Sequence, residues 1–210
     1  MLRCSNSAFF MSSRLIFVKS LARWLGGLAI LGLVCFDAAA ATRPQVWRID
    51  EARTWIGFAI DAVGFPRTRG HFTHFNGQFV IDFERPAKSH TAFTVDAASV
   101  DVGSPSFNDF VKSAALLNVE RFPTMSFVST AVEKLDAHTA RVTGNLTLLG
   151  VTRPITLIVD VATDPAVKGR VVAFAATAKI RRSEFGMPFG IPLIDDALEI
   201  TVKTRALSDE

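Results

Sequence analysis

The run from Thr139 to Val161 constrains this chain most, because polar and apolar residues alternate on both sides of a single reversal. Val142, Leu146 and Leu148 share one face of an extended segment, opposite Arg141, Thr143, Asn145 and Thr147. Beyond the turn, Ile155, Leu157, Val159 and Val161 line one face, and Thr156 and Asp160 the other. A period of two marks strands with one side buried and one side wet. Gly150 and Pro154 bracket the reversal, so the pattern predicts an antiparallel hairpin.

Most of the remaining chain repeats this texture. Strands are expected over 46–50, 54–63, 70–83, 91–102, 125–135, 170–182 and 197–207. A break is expected at Phe65-Pro66, a bulge or bend at Gly77, and turns over 84–89 and 164–169. Ser104-Pro105 can open a helix, and Phe107, Phe110, Val111, Ala114 and Ala115 recur at helical spacing. One short helix over 105–118 follows. The fold class is therefore all-β: an eight-stranded antiparallel up-and-down barrel with one inserted helix. Its inward rows would hold Ile56, Phe58, Ile60, Phe93, Val95, Phe127, Val142, Leu146, Leu148, Leu157, Val159, Phe174, Ile180 and Ile200. Eight strands enclose room for one small ligand, but a barrel packed solid shows the same alternation. The small residues Gly57, Ala59, Ala173 and Ala175 fall on outer faces, where they leave room for another subunit to approach.

Residues 1–41 read as a cleaved signal peptide, with cleavage after Ala41 and one domain over 42–210. Arg14, Lys19 and Arg23 precede the apolar run Trp24–Phe36, which is shorter than the ~20 residues that span a bilayer. Cys4 and Cys35 both lie in this segment, so thiol and disulfide chemistry are excluded from the rest. Its removal takes four of the 23 basic residues and one of the 20 acidic ones, leaving 19 of each. A neutral domain has no electrostatic footprint for nucleic acid. Fourteen of the 18 Phe remain, with Trp47, Trp55 and no Tyr, so the rings carry no hydroxyl.

Catalytic and metal signatures are weak. His71 and His74 stand three apart on a strand, which points them to opposite faces, and no Cys or carboxylate joins them at ligand spacing. Glu184, Asp195 and Asp196 read as a charged rim. The sequence holds no Gly-x-Ser-x-Gly, no phosphate-binding Gly-rich loop and no His-Glu-x-x-His. No covalent or metal cofactor is expected.

Several segments together carry a family resemblance: Gly70–Gly77, Ser99–Gly103, Phe122–Ser129, Val142–Pro154 and Arg182–Met187. Over about 46–206 the chain resembles the YceI-like family of secreted lipid (polyisoprenoid)-binding proteins. The resemblance implies a lipocalin-like barrel, a periplasmic location and an isoprenoid chain held inside, by a carrier or store that is not an enzyme. The chain departs from the family pattern at Ala62, at Phe107, Asn108 and Phe110, and at Leu116-Leu117-Asn118, where polar groups give way to neutral or apolar ones. Phe107, Phe110, Lys112, Leu116 and Arg182 are expected to form a lid or mouth, with Lys112 and Arg182 meeting a polar head. The partners expected are an amphiphilic lipid, a transient membrane surface and a second copy of the chain. A lipid-modifying hydrolase or isomerase at the rim, and a filled barrel binding a protein, are the other classes to be weighed.

Overall fold

The computed structural model describes residues 45–82, 84–163 and 171–207. The expected signal peptide and the expected turn at 164–169 lie outside them.

The strands are β1 (Gln45–Arg48), β2 (Thr54–Ala62), β3 (Phe65–Phe72), β4 (Phe75–Ile81), β5 (His90–Asp96) and β6 (Val100–Asp101). Helix α1 (Pro105–Lys112) follows, then β7 (Thr124–Lys134), β8 (Thr139–Leu148), β9 (Val151–Thr163), β10 (Val171–Arg181) and β11 (Ile194–Leu207). They form one antiparallel sheet in the order β1-β4-β5-β7-β8-β9-β10-β11-β2-β3-β6. The all-β class with one helix holds, but the described residues make eleven strands, where a barrel of eight was expected. Of the nine strand segments set out above, two each bend into two. Thr73-His74 separates β3 from β4, and a short 3-10 turn at Ala97–Ser99 separates β5 from β6.

The two bends satisfy each other's backbone groups. The Asp96 N–H donates to the His74 carbonyl at 3.0 Å, and the Thr73 N–H to that of Ser99 at 3.2 Å. Buried or half-buried backbone groups need such partners, so the bends stabilise one another. The consequence is closure. β3 pairs with β2 through Phe72↔Ile56, while β4 pairs with β5 through Phe75↔Val95. Because β3 runs directly into β4, the two ends of the ladder are tied covalently, and the sheet curls into a barrel-like wall.

Local geometry departs from expectation at several points. β3 begins at Phe65, so Phe65-Pro66 opens a strand that was expected only from residue 70. The β4–β5 register runs unbroken through Gly77, which faces Phe93; a Cβ there would lie 2.5 Å from that of Phe93. Gly77 thus permits close strand approach and makes no bulge. The opening hairpin is tighter than its bracketing residues suggest, because Leu148 pairs with Val151 around Leu149-Gly150. Both turn residues have positive φ, 50° and 72°, the type I′ requirement. Leu149 adopts this uncommon conformation because its side chain packs on the core. Pro154 therefore sits inside β9, not at its start. It is tolerated because β9 pairs with β10 only from Ile158 onward, so this stretch of β9 needs hydrogen bonds on one edge alone.

Helix α1 stops at Lys112, six residues short of the expected end. The Ser113 N–H and hydroxyl both donate to the Phe110 carbonyl, which closes the last turn. Asn118, at φ 44°, then turns the chain back. On the outer wall the Trp55 ring lies over Gly57, against His71 and Lys203. That face of Gly57 is covered by its own chain and is not open to a second subunit.

Candidate functional site

The inward rows enclose a hollow. A cavity of about 490 Å³ is walled by β2, β3, β5 and β7–β11 and bordered by α1 and the 182–194 segment. Of the inward residues expected from the sequence, Ile56, Phe58, Ile60, Phe93, Val95, Phe127, Leu146, Leu148, Leu157, Ile180 and Ile200 line it. Val142, Val159 and Phe174 do not. They line a second cavity of about 290 Å³ at the other end of the barrel. Alternation assigns a side chain to the inner face but not to a depth along it.

Other wall residues escaped the site reading. Leu198 and Val202 flank Ile200 at period two and were legible as inward. Phe72 ends the inner row of β3, beside the break at Thr73-His74 that the sequence did not show. Leu117 and Met187 come from irregular segments that no periodicity reveals.

The first cavity is almost wholly apolar. Among the described residues, its polar side chains are those of Thr68, Ser126 and Arg182. Arg182 is 2 % exposed, and backbone carbonyls occupy its guanidinium. Nε donates to Asp195 O at 2.8 Å, Nη1 to Met187 O and Phe189 O at 2.7 Å each, and Nη2 to Ile194 O at 2.9 Å. Four of its five N–H donors are thereby used. Burial pushes its pKa down while the Asp196 and Asp195 carboxylates push it up, and it stays charged at physiological pH. The expectation that Arg182 meets a polar ligand head gives way to a structural role: it ties the 187–195 loop into the wall. Lys112 does not line the cavity and takes no part in the wall either.

The mouth itself is aromatic. Phe107 stacks on Phe110 at 6.2 Å, and Phe110 meets Phe189 edge-on at 5.5 Å. Both α1 rings and Leu116 line the cavity while Phe107 and Phe110 remain partly exposed. Beside them Val63, Phe65 and Leu193 stand out into solvent. The Val63 N–H donates to the Leu193 carbonyl at 2.8 Å, which fastens the β2–β3 turn to the loop. Asn108, one of the departures noted above, pins α1 in place: its Oδ1 accepts from the Val102 N–H at 2.7 Å and its Nδ2 reaches Asp101 at 3.3 Å.

The carboxylates near the mouth hold backbone. Asp195 accepts from the Ala197 N–H. Asp196 accepts from the Ser183 N–H and hydroxyl, both at 2.8 Å. The Ser183 N–H is the main influence holding its pKa below the usual value, against burial, with the Ser183 hydroxyl and Arg182 helping. A folded-state pKa below the unfolded ~3.9 stabilises the fold above that pH, and the contribution is lost as pH falls through the folded value. Urea midpoints for the parent and Asp196→Asn should therefore differ at neutral pH and converge only as the pH falls well below the unfolded value of ~3.9. A gap that stays constant throughout that acid range would show that the carboxylate charge is not what matters.

His71 rests against Trp55, and His74 lies 3.7 Å from Glu51 on the surface. Among the described residues no group of three or more His, Cys, Asp or Glu is placed to hold a metal ion.

Comparison with known proteins agrees with this fold. The family model for the YceI-like domain matches residues 47–206. The UPF0312 protein Ent638_1570 of Enterobacter sp. (strain 638) is 33 % identical over 185 residues, covering 86 % of this chain and 95 % of the relative. The crystal structure of Burkholderia cenocepacia BcnA superposes with a TM-score of 0.70 at 27 % identity, over 75 % of this chain and 99 % of that one. A polyisoprenoid binding domain from Saccharophagus degradans, implicated in plant cell wall breakdown, gives 0.61 at 13 % identity, over 80 % and 100 %; at that identity the likeness is one of fold.

Proposed function

Because the chain belongs to the YceI-like domain family, we propose that it is a non-catalytic carrier or store that holds the tail of an isoprenoid or similar amphiphilic lipid in the cavity behind α1. The observation that carries this reading is a hollow of about 490 Å³ whose wall has three polar side chains, one of them already bonded to four carbonyls. Such a space suits hydrocarbon and offers a polar head little. The head would then stay at the mouth. The family placement and the fold shared with a polyisoprenoid binding domain support the same ligand class.

The energetics are ample from water. Burial is worth ~0.8 kcal/mol per CH₂, so one five-carbon isoprene unit offers about 3 to 4 kcal/mol. Three units exceed the ~8 kcal/mol of micromolar binding before ordering costs. A bilayer offers the tail an equally apolar refuge, so transfer has to occur at its surface. The exposed apolar rim of Val63, Phe65 and Leu193 beside Phe107 and Phe110 is suited to that contact. The periplasm, between two membranes, is the compartment proposed, with residues 1–41 as the signal.

Titration of delipidated protein with short-tailed quinone analogues tests the reading. Micromolar or tighter binding is expected, and Phe107→Asp/Phe110→Asp should weaken it by about tenfold, 1.4 kcal/mol. An unaltered affinity in the double variant removes the mouth role. No binding by the parent removes the carrier.

A further inference from the structure

The interior is two chambers, not one. The mouth chamber and the smaller one at the opposite end share four wall residues, Phe93, Phe127, Leu157 and Val202. These belong to β5, β7, β9 and β11, and they pack in one cluster, Phe93 and Val202 against the buried Phe127 and Leu157, so side chains from separate parts of the wall come together at this level. Phe93 and Phe127 face each other in the β5–β7 register, with ring centroids 5.4 Å apart and planes inclined by 31°.

The layer is packed, not loosely filled. Phe127 is 1 % exposed and belongs to a buried cluster with Val142, Leu157, Ala176 and Ala178. Its ring lies over Gly144 of β8, where a Cβ would collide with the ring edge. The bare backbone at Gly144 is what lets the Phe127 ring settle onto the neighbouring strand at this level. A ring packed in such a cluster cannot step aside without loosening its neighbours, and voids in close-packed interiors are costly. Below the layer the wall is mixed: Phe79, Val159 and Phe174 lie there together with Asp82, His90 and Lys134.

We infer that the Phe93–Phe127 layer is a septum that sets the length of tail the protein accepts, so that short isoprenoid tails fill the mouth chamber and longer ones leave their excess outside. This rests on the lipid reading of the mouth chamber. Each added unit of tail gains burial until it reaches the septum and gains none thereafter. Opening the septum joins the second chamber to the first and restores the gain.

The test uses delipidated full chain and a series of prenols lengthened one isoprene unit at a time, with the hydroxyl head unchanged. Affinity for the parent should climb with length and then level off. In Phe127→Leu, and in the half-buried Phe93→Leu if the first variant folds poorly, the break should move to longer prenols. The ratio of longest-prenol to shortest-prenol affinity should rise about tenfold in either variant over its value in the parent. Affinity for the parent that keeps climbing, or a break that stays put in both variants, overturns the septum and leaves the lipid reading intact. A parent that binds no prenol at all overturns both.

Discussion

Replacing Arg182 with methionine is expected to destabilise the fold by about 3 to 5 kcal/mol, the largest effect of any single substitution considered. The side chains are similar in length, so volume is not the issue. What is lost is the donor set for four carbonyls, those of Asp195, Met187, Phe189 and Ile194. Hydrogen bonds from a charged donor contribute about 1.5 to 3 kcal/mol each, and acceptors stranded in a half-buried loop cost more than the bonds are worth. Swapping both partners of a polar contact for apolar groups can be neutral, but here only the donor goes and backbone cannot be edited. Arg182→Lys should fall between, since an ammonium has three donors on one nitrogen and cannot span the same four oxygens. Equilibrium urea unfolding of the three proteins checks this order. The loop carries Phe189 and Leu193, so lipid affinity should fall with stability. A methionine variant as stable as the parent would mean that the loop is held by its apolar contacts alone.

Ile200→Trp is expected to separate stability from binding. Ile200 lies on the wall of the mouth chamber between Phe58 of β2 and Ala178 of β10. In a barrel packed solid, the added ring system would overpack the core and cost about 1 to 3 kcal/mol. In the hollow described above it has space to enter, and stability should stay within about 1 kcal/mol of the parent. The ring then occupies volume a tail would need, so prenol affinity should drop by about tenfold or more. Thermal melts and prenol titrations on the same preparation give both readings. A large loss of stability would show that the interior closes up in solution. Full affinity would place the tail elsewhere.

The two results depend on features of very different legibility. The β8–β9 hairpin, the inner rows of β2, β5, β7, β10 and β11, and the start of α1 at Pro105 were all readable, because each depends on residues adjacent in sequence. Periodicity of two and the Ser104-Pro105 signal act over a few residues. The end of α1 was not readable: Ala114 and Ala115 continue the helical spacing, and only the hydrogen bonds from Ser113 to the Phe110 carbonyl show why the helix stops. The bends at Thr73-His74 and Ala97–Ser99 were missed because neither holds a glycine or proline. They exist as a pair, each meeting the other's backbone groups across a separation of more than 20 residues.

The same division runs through the site. Amino-acid order alone decided which side chains turn away from water, since solvent and interior alternate along any strand whatever lies across from it. It also carried, through five short segments, the family to which the chain belongs. Tertiary structure alone decided that the inner faces stand far enough apart to leave a hollow, that Phe93 and Phe127 lie side by side on neighbouring strands of its wall, and that Arg182 serves the loop in place of a ligand. Those outcomes depend on distances between strands remote in sequence and on carbonyl groups that every residue possesses. Neither leaves a mark in the identity of the residues concerned.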